Sequence, residues 1–533
     1  MWQDVVTTAL VGTERRSLSL NPSSHPPLSP LSKGGIEEVS KEEESGQLGD
    51  LLSHLNHSDP EGALLSAAAA ISLYQQAGQL PVKDNQPLPE PCQPDELPAC
   101  STRTGQYLRL MLLKEREKLL PEWLAAAAKA GKRAPEHCLP GLLELGRNSR
   151  QLRSAILPVL GKRGRWLAAQ NPDWDYVVGE DIEKIWTTGS RAARQLLLQE
   201  LRSQNPAAAR ERLTAIWEQE KFEERLAFLS AFQTGLSRDD ELFLESVLDD
   251  RRKEVRHKAA ELLAHLPESR LCQRMAERIR SSLILQEKRN RLHLDFKLPG
   301  AVDEGITRDG IDTKQPPHLL GEKAWRILQM VAAMPLPVWD EIKEEAPFEW
   351  IQAAKRSEWD RTLVEAWAIA ALRQRNPEWA EVLLSVHGNF NGYVVTQDKL
   401  IQGLIGVLPL ERRNDFFLNL LPPSSAPLNS KHPAFSLLCH YRYPWSAELS
   451  RAVIEGVRCY LANTKNSYDW SLGSALKDFA CYLTPSLIPE LSASLAAVVP
   501  KDSSWASYWT ETIDEFLALL NFRHEILKEF EKV

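Results

Sequence analysis

The stretch from Ser237 to Pro267, SRDDELFLESVLDDRRKEVRHKAAELLAHLP, constrains the fold more than any other, because its apolar residues fall on two short helical faces with a capping signal before each. Ser237 followed three residues later by Asp240 reads as a capping box, in which a hydroxyl and a carboxylate satisfy amides that a first helical turn leaves unpaired. Phe243, Val247 and Leu248 share one face, and Asp249-Asp250 interrupts the pattern where a second N-cap is needed. Val255, Ala259, Leu262 and Leu266 then recur at helical spacing, with Arg252, Lys253, Arg256 and Lys258 opposite, until Pro267 stops the element. The small Ala259 and Ala260 permit close approach. Neither helix can bury its stripe alone, so such pairs stack on their neighbours, as HEAT-like repeats do.

At 533 residues the chain exceeds what one compact core serves, which leaves two or three domains or one long solenoid. The expected class is all-α, a HEAT-like helical-repeat α-solenoid in two halves joined by an irregular loop or small hairpin. Residues 1–16 read as an N-terminal docking helix. Residues 17–50, rich in Ser, Pro, Gly and Glu, read as a disordered linker, because they bury too little apolar surface to offset an ordering entropy of about 1–2 kcal/mol per residue. Residues 51–285 form the first helical-repeat domain, with one helix expected over 51–79 and another from Tyr107 up to Pro121. Residues 286–320 form the connector, where LHLDFKL alternates like a strand and Pro299-Gly300 and Asp309-Gly310 signal turns. Residues 321–533 form the second helical-repeat domain, whose final helix, Trp505 to Phe530, is expected to cap the array. Asn171-Pro172 and Asn205-Pro206 lie 34 residues apart (205 minus 171), and Asn376-Pro377 repeats the signal. Asn at the N-cap and Pro at the first helical position mark helix starts, and the interval suits a helical array.

The net charge of -8 argues against a surface built wholly for nucleic acid. The seven cysteines are widely spaced without a Cys-x-x-Cys, which fits buried thiols in a reducing compartment; with no apolar run near the roughly 20 residues a membrane span needs and an acidic, leaderless start, the expectation is a cytoplasmic protein. The sharpest local signal is Arg147, Arg150, Arg153, Lys162, Arg163 and Arg165, six cations with no acid among them. Such a ridge can track a phosphate backbone. The competing and preferred reading is a solvated face, or one paired with acidic helices. In the cluster from Arg251 to Lys258, Arg256 stands where a HEAT-like repeat places an arginine between repeats.

Other patterns lack the spacing that their chemistry needs. His54 and His57 share a face without a third ligand, and His137-Cys138 sits between prolines in a turn. Asp303, Asp309 and Asp312 miss the calcium-loop pattern, and Gly161 and Gly164 miss the phosphate-loop one. No catalytic residue, metal or cofactor is expected, and the chain reads as a non-enzyme.

WQDVVTTALVGTERR at the start, GRWLAAQNPDW at 164–174, the helix pair at 237–267, and RDGI at 308–311 followed by GEKAW at 321–325 together resemble a bacterial family known only as a domain of unknown function. Residues 17–50 have no place in that pattern and read as an insertion. Members of that family are encoded near MoxR-type AAA ATPases, von Willebrand factor A-domain proteins and SWIM zinc-finger proteins. The resemblance thus implies an adaptor in an ATPase-centred assembly, with an AAA ATPase or A-domain protein as partner, and it supplies no catalytic residues. The alternative is a nucleic-acid-binding HEAT-like protein, with base repair as its chemistry, using 147–165.

Overall fold

The computed structural model describes residues 2–18, 48, 51–56, 58–77, 89–177, 182–289, 291–299, 304–313, 316–317, 320–386, 395–423, 426–463, 469–498 and 505–531. Most of residues 17–50 therefore lies outside the described residues. The chain divides into two compact units, Met1–Glu90 and Pro91–Val533.

In the first unit, α1 (Trp2–Val11) packs on α2 (Pro60–Ala77). The helix expected over 51–79 is interrupted. Asn56 accepts the Ser58 amide and Asp59 accepts the Gly62 amide, so these side chains end one turn and start α2 at Pro60. Val5 of α1 and Ala67 and Ile71 of α2 meet in a small core of their own.

The second unit opens with α3 (Thr102–Leu112), α4 (Leu120–Lys129), α5 (Leu139–Asn148), α6 (Arg150–Ile156) and α7 (Gly161–Ala169). One helix up to Pro121 was expected here. The chain instead reverses through Lys114 and Arg116, both at positive φ, and Pro121 stands in the first turn of α4 rather than ending a helix. There follow α8 (Ile182–Thr188), α9 (Arg191–Gln204), α10 (Pro206–Ile216), α11 (Phe222–Ala231), α12 (Glu241–Val247), α13 (Lys253–Leu263) and α14 (Arg270–Ser282). After a hairpin come α15 (Glu304–Arg308), α16 (Glu322–Ala333), α17 (Pro337–Ile342), α18 (Pro347–Lys355), α19 (Asp360–Gln374), α20 (Pro377–Ser385) and α21 (Gln397–Val407). The unit closes with α22 (Leu410–Leu420), α23 (Pro433–His440), α24 (Ala447–Asn463), α25 (Trp470–Phe479), α26 (Ile488–Ala496) and α27 (Ala506–Glu531).

The Asn-Pro signals do what was expected at two sites. The Asn205 and Asn376 side chains accept the amides of Ala208 and Trp379, and each following proline is the first helical residue. At Asn171 the side chain accepts the Asp173 amide and a 3-10 turn follows. The Ser237 capping box also forms, its amide donating to the Asp240 carboxylate at 3.1 Å.

Helices α9, α11, α13, α14, α16, α19, α21, α23, α25 and α27 form one layer in which each packs on the next. Ion pairs tie successive helix pairs. Arg202 of α9 meets Asp240 before α12, Arg225 of α11 meets Asp250 before α13, and Arg274 of α14 meets Glu245 of α12. Arg256 does not take the expected place between pairs: it donates to the carbonyls of Asp250 and Arg251 in its own pair. A fully buried aromatic chain of Trp339, Trp350 and Trp367 fills the middle of the layer, with ring centroids 4.8 and 5.3 Å apart, as core wedges should.

The connector is a real hairpin. β1 (Leu283–Lys288) pairs antiparallel with β2 (Arg291–Phe296), and the alternating Leu292, Leu294 and Phe296 turn into the core. The Trp359 indole donates to Asp295 at 3.0 Å and Arg356 to the Leu292 carbonyl at 3.1 Å, which seats β2 beside α18 and α19. One core nevertheless runs from Trp186 to Leu520 through this region, so the hydrophobic core does not divide at 286–320. It divides instead between residues 100–177 and the rest, and α27 places Trp509, Phe516 and Leu520 in one core and Ile526 and Phe530 in the other. The final helix is thus a strut between two cores as well as the end of the layer. No helix among the described residues is long and apolar enough to cross a membrane.

Candidate functional site

The six cations singled out in the sequence lie on α5, α6 and α7 or at their ends, and four have partners close by. Arg147 reaches Glu144 at 3.1 Å and Asp173 at 3.3 Å. Arg153 donates to the Gly146 carbonyl at 2.8 Å and stacks on the Tyr176 ring at 4.4 Å. Lys162 meets Glu96 at 2.6 Å, and Arg163 meets Glu136 at 3.6 Å. Arg150 and Arg165 are exposed, with no ion pair among the described residues. The local electrostatics agree: the Trp174 indole, then Asn148 and Arg147, hold the Glu144 carboxyl below its usual range, and burial pushes the Tyr176 phenol up to about 12. Half of this run, Arg147, Lys162 and Arg163, is therefore paired with acids that the linear sequence places from Glu96 to Asp173.

The start of α7 has the form of an anion site. Gly161 adopts φ +64°, and the amides of Lys162 and Arg163 point outward from the first turn. Both are taken by the Asp95 carboxylate, at 2.5 and 3.1 Å, with the Arg133 guanidinium 3.4 Å away. A Cβ on Gly161 would come within 2.5 Å of that carboxylate, so the glycine admits Asp95. An internal acid thus fills the place a phosphate would take.

The remaining chemical motifs resolve into packing. Cys138 is buried and its thiol is pushed up to about 11, against its role as a nucleophile at neutral pH, while His137 beside it is exposed. Asp309, buried at 2%, accepts Arg274 at 2.7 Å and Arg278 at 2.6 Å, and Arg308 reaches both Glu245 and Asp249. Three guanidinium groups stand where a calcium loop would need an open carboxylate face. The RDGI turn is thereby a clamp on α12, α13 and α14, with Gly310 at φ +77° lying so close to α13 that a Cβ would meet the Ala260 Cβ at 2.7 Å. His54 is exposed, and His57 and Asp303 lie outside the described residues. Among the described residues no group of three His, Cys, Asp or Glu side chains could hold a metal ion.

The feature that sequence reading underweighted is the apolar character of the first unit. Trp2, Val6 and Leu10 recur every four residues on α1 and are exposed, Leu10 at 82%; Val5 and Thr8 face α2 instead. On α2, Ala63, Ala67 and Ile71 face inward, while Leu65 and Leu73 are 72% and 67% exposed on another face. Glu61 is the one charged residue in this 18-residue helix. A helix that is apolar on every side belongs in an interior, so these faces are suited to cover by another surface. The near absence of charge from Pro60 to Ala77 was the available signal.

A family model matches residues 4–530, which reaches into both units and covers the landmarks from Asp4 in the N-terminal helix to GEKAW. The chain belongs to the family of unknown function DUF5691. No curated protein matches it. The DUF5691 match runs across residues 17–50 and across both cores, so family membership applies to the whole assembly of helices rather than to one module.

Proposed function

We propose that this DUF5691 protein is a non-enzymatic scaffold, a HEAT-like α-solenoid that binds a protein partner through its N-terminal helical unit. The observation that carries the reading is the pair of exposed apolar faces, Trp2, Val6 and Leu10 on α1 and Leu65 and Leu73 on α2. Contiguous exposed apolar side chains on an otherwise charged protein are a mark of protein interaction surfaces. The layer of successive helices tied by Arg–carboxylate pairs supports the repeat reading, since each pair buries its stripe on the next. From the resemblance to proteins encoded near MoxR-type AAA ATPases, we propose an ATPase or its von Willebrand A-domain adaptor as the partner, with the complex in the cytoplasm. The test is a nuclease-treated tagged pull-down with Val6→Asp/Leu10→Asp beside the wild type. Stoichiometric recovery of an ATPase or A-domain protein that is lost in the variant supports the proposal. Equal recovery by a folded variant removes the N-terminal unit from it.

The second reading, nucleic-acid binding by 147–165, draws on Arg150 and Arg165, which are exposed and unpaired among the described residues. It expects salt-dependent DNA affinity that falls in Arg150→Glu/Arg165→Glu. Affinity unchanged by that substitution, or insensitive to salt, ends it.

A further inference from the structure

We infer that the contact between α27 and the helices α3 and α4 is a releasable latch, which opens as one unit while the helix layer stays folded. The core of residues 100–177 takes just two buried side chains from elsewhere among the described residues, Ile526 and Phe530, both from the last turns of α27. The end of α27 is therefore the main apolar hold on the lobe, with Cys481 packed beside it. Phe530 meets Trp123 edge-on at 5.5 Å, and Phe522 meets Tyr107 at 4.8 Å.

Around this apolar seam the two sides carry opposite charge. The lobe contributes Arg103, Arg116 and Lys118. The other side contributes Glu525 and Glu529 to Arg103, at 2.8 and 3.6 Å, and Asp478 to Lys118 at 2.7 Å. Arg103 and Lys118 are 52% and 74% exposed, so salt screens these pairs. Inside the rim, Arg523 is buried and grips Glu122 through both oxygens at 2.7 Å, yet it also donates to the carbonyls of Ala480 and Leu483. On opening it keeps those two acceptors, and Glu122, at 30% exposure already partly wet, gains water.

The backbone between α3 and α4 shapes the lobe's side of the contact. Lys114 and Arg116 sit at φ 67° and 59°, a region that L side chains enter with strain, and Lys114 occupies the position after a helix end where glycine is usual. This conformation sets Arg116 over the Phe522 ring at 4.4 Å and 3.4 Å from the Ala518 carbonyl. The turn belongs to the lobe itself: the Met111 and Leu110 carbonyls at the end of α3 accept the Lys114 and Glu115 amides at 3.1 and 3.0 Å, so it stays when the contact parts. The face uncovered on the lobe, Tyr107 and Trp123 rimmed by Arg103, Arg116 and Lys118, fits a helix of the chemistry of α27: aromatic residues eight apart and carboxylates at the four-residue interval between them.

Hydrogen exchange on the full chain, followed by mass spectrometry at about 50 and about 500 mM NaCl, tests this. The expected result is one shared opening constant for residues 104–128 and 522–531, rising about three- to tenfold with salt, while residues 363–371 in α19 are unchanged. Arg103→Ala, at a half-exposed position, reproduces the high-salt opening at low salt and flattens the salt response. Exchange of both segments at the same free energy as residues 363–371 in every condition, or exchange of the two segments independently of each other, overturns the latch.

Discussion

Asp240→Asn tests whether the ion pairs between successive helix pairs carry the layer. Arg202 and Asp240 are both fully buried, and the carboxylate accepts Arg202 at 2.6 and 3.1 Å, Arg210 at 3.0 Å and the Ser237 amide at 3.1 Å. Asparagine keeps the shape and removes the charge, leaving the Arg202 guanidinium in the core with the Thr234, Gly235 and Pro206 carbonyls and the Phe232 face as its surroundings. Breaking a buried pair from one side costs about 3–5 kcal/mol; the three carbonyl acceptors that remain put the expected loss near the lower end, about 3 kcal/mol. Arg202→Met costs a similar amount, because it takes the buried donor from the carboxylate, which keeps Arg210 and the Ser237 amide, and from three carbonyls together. The double variant holds no stranded buried charge, since Arg210 is partly exposed and can reach water. It is therefore expected to lose clearly less than the two single variants combined, with a coupling of about 2 kcal/mol. Urea unfolding followed by circular dichroism, with the slope compared across variants, measures all three. A loss below about 1 kcal/mol in Asp240→Asn, or strict additivity in the double variant, refutes the reasoning.

Gly310→Ala imposes left-handed strain and a clash with Ala260 together, so a loss of about 2–3 kcal/mol is expected; an unchanged melting temperature would mean that RDGI is not seated on α13. His257, His265 and His432 are each held below the usual imidazole range by burial, whereas the unfolded chain protonates them near about 6.5. Below that pH the unfolded state binds more protons, so stability is full above about pH 6.5 and falls as pH drops toward the depressed folded values; urea midpoints at about pH 7.5 and 5.5 should show the drop, and His265→Gln should reduce it. Burial pushes the thiols of Cys100, Cys138 and Cys272 up to about 11, so a thiol reagent at neutral pH should label the partly exposed Cys92 first and these three only after unfolding. Rapid labelling of Cys272 in the native protein would contradict its place in the core.

What the sequence made legible was local. The capping box at Ser237, the helix starts at Asn205 and Asn376, and the strand in LHLDFKL each depend on contacts within a few residues, and each stands in the structure. The helix expected through 113–120 failed because Lys114 and Arg116 adopt a left-handed backbone that no residue type there advertises: the Met111 and Leu110 carbonyls accept the Lys114 and Glu115 amides and end α3, and the Arg116 side chain then reaches Ala518, 402 residues away along the chain. The basic run agrees with the preferred reading of paired or solvated cations, but its partners could not be named from the sequence. Its acids come from Glu96, Glu136 and Asp173, on segments that a linear scan of 147–165 does not reach. Arg256 and Arg202 look alike as sequence, yet one caps its own helix pair and the other joins two.

The same distinction bears on where function should be sought. Gly12 of GTERR, at φ +93°, ends α1 with its carbonyl accepting the Arg15 and Arg16 amides. In GRWLAAQNPDW, Trp174 holds Glu144, and in RDGI, Asp309 gathers guanidinium groups from two elements. These landmarks terminate helices and lock them together, so substitutions there are expected to read out as stability. A partner must instead meet side chains that the fold leaves uncommitted. On the first unit those are Trp2, Val6, Leu10, Leu65 and Leu73, whose apolar surface folding of that unit alone does not bury. If Val6→Asp/Leu10→Asp leaves the melting temperature intact while abolishing partner recovery, the apolar faces are recognition surface; if it unfolds the protein, they support the fold itself and the recognition reading fails.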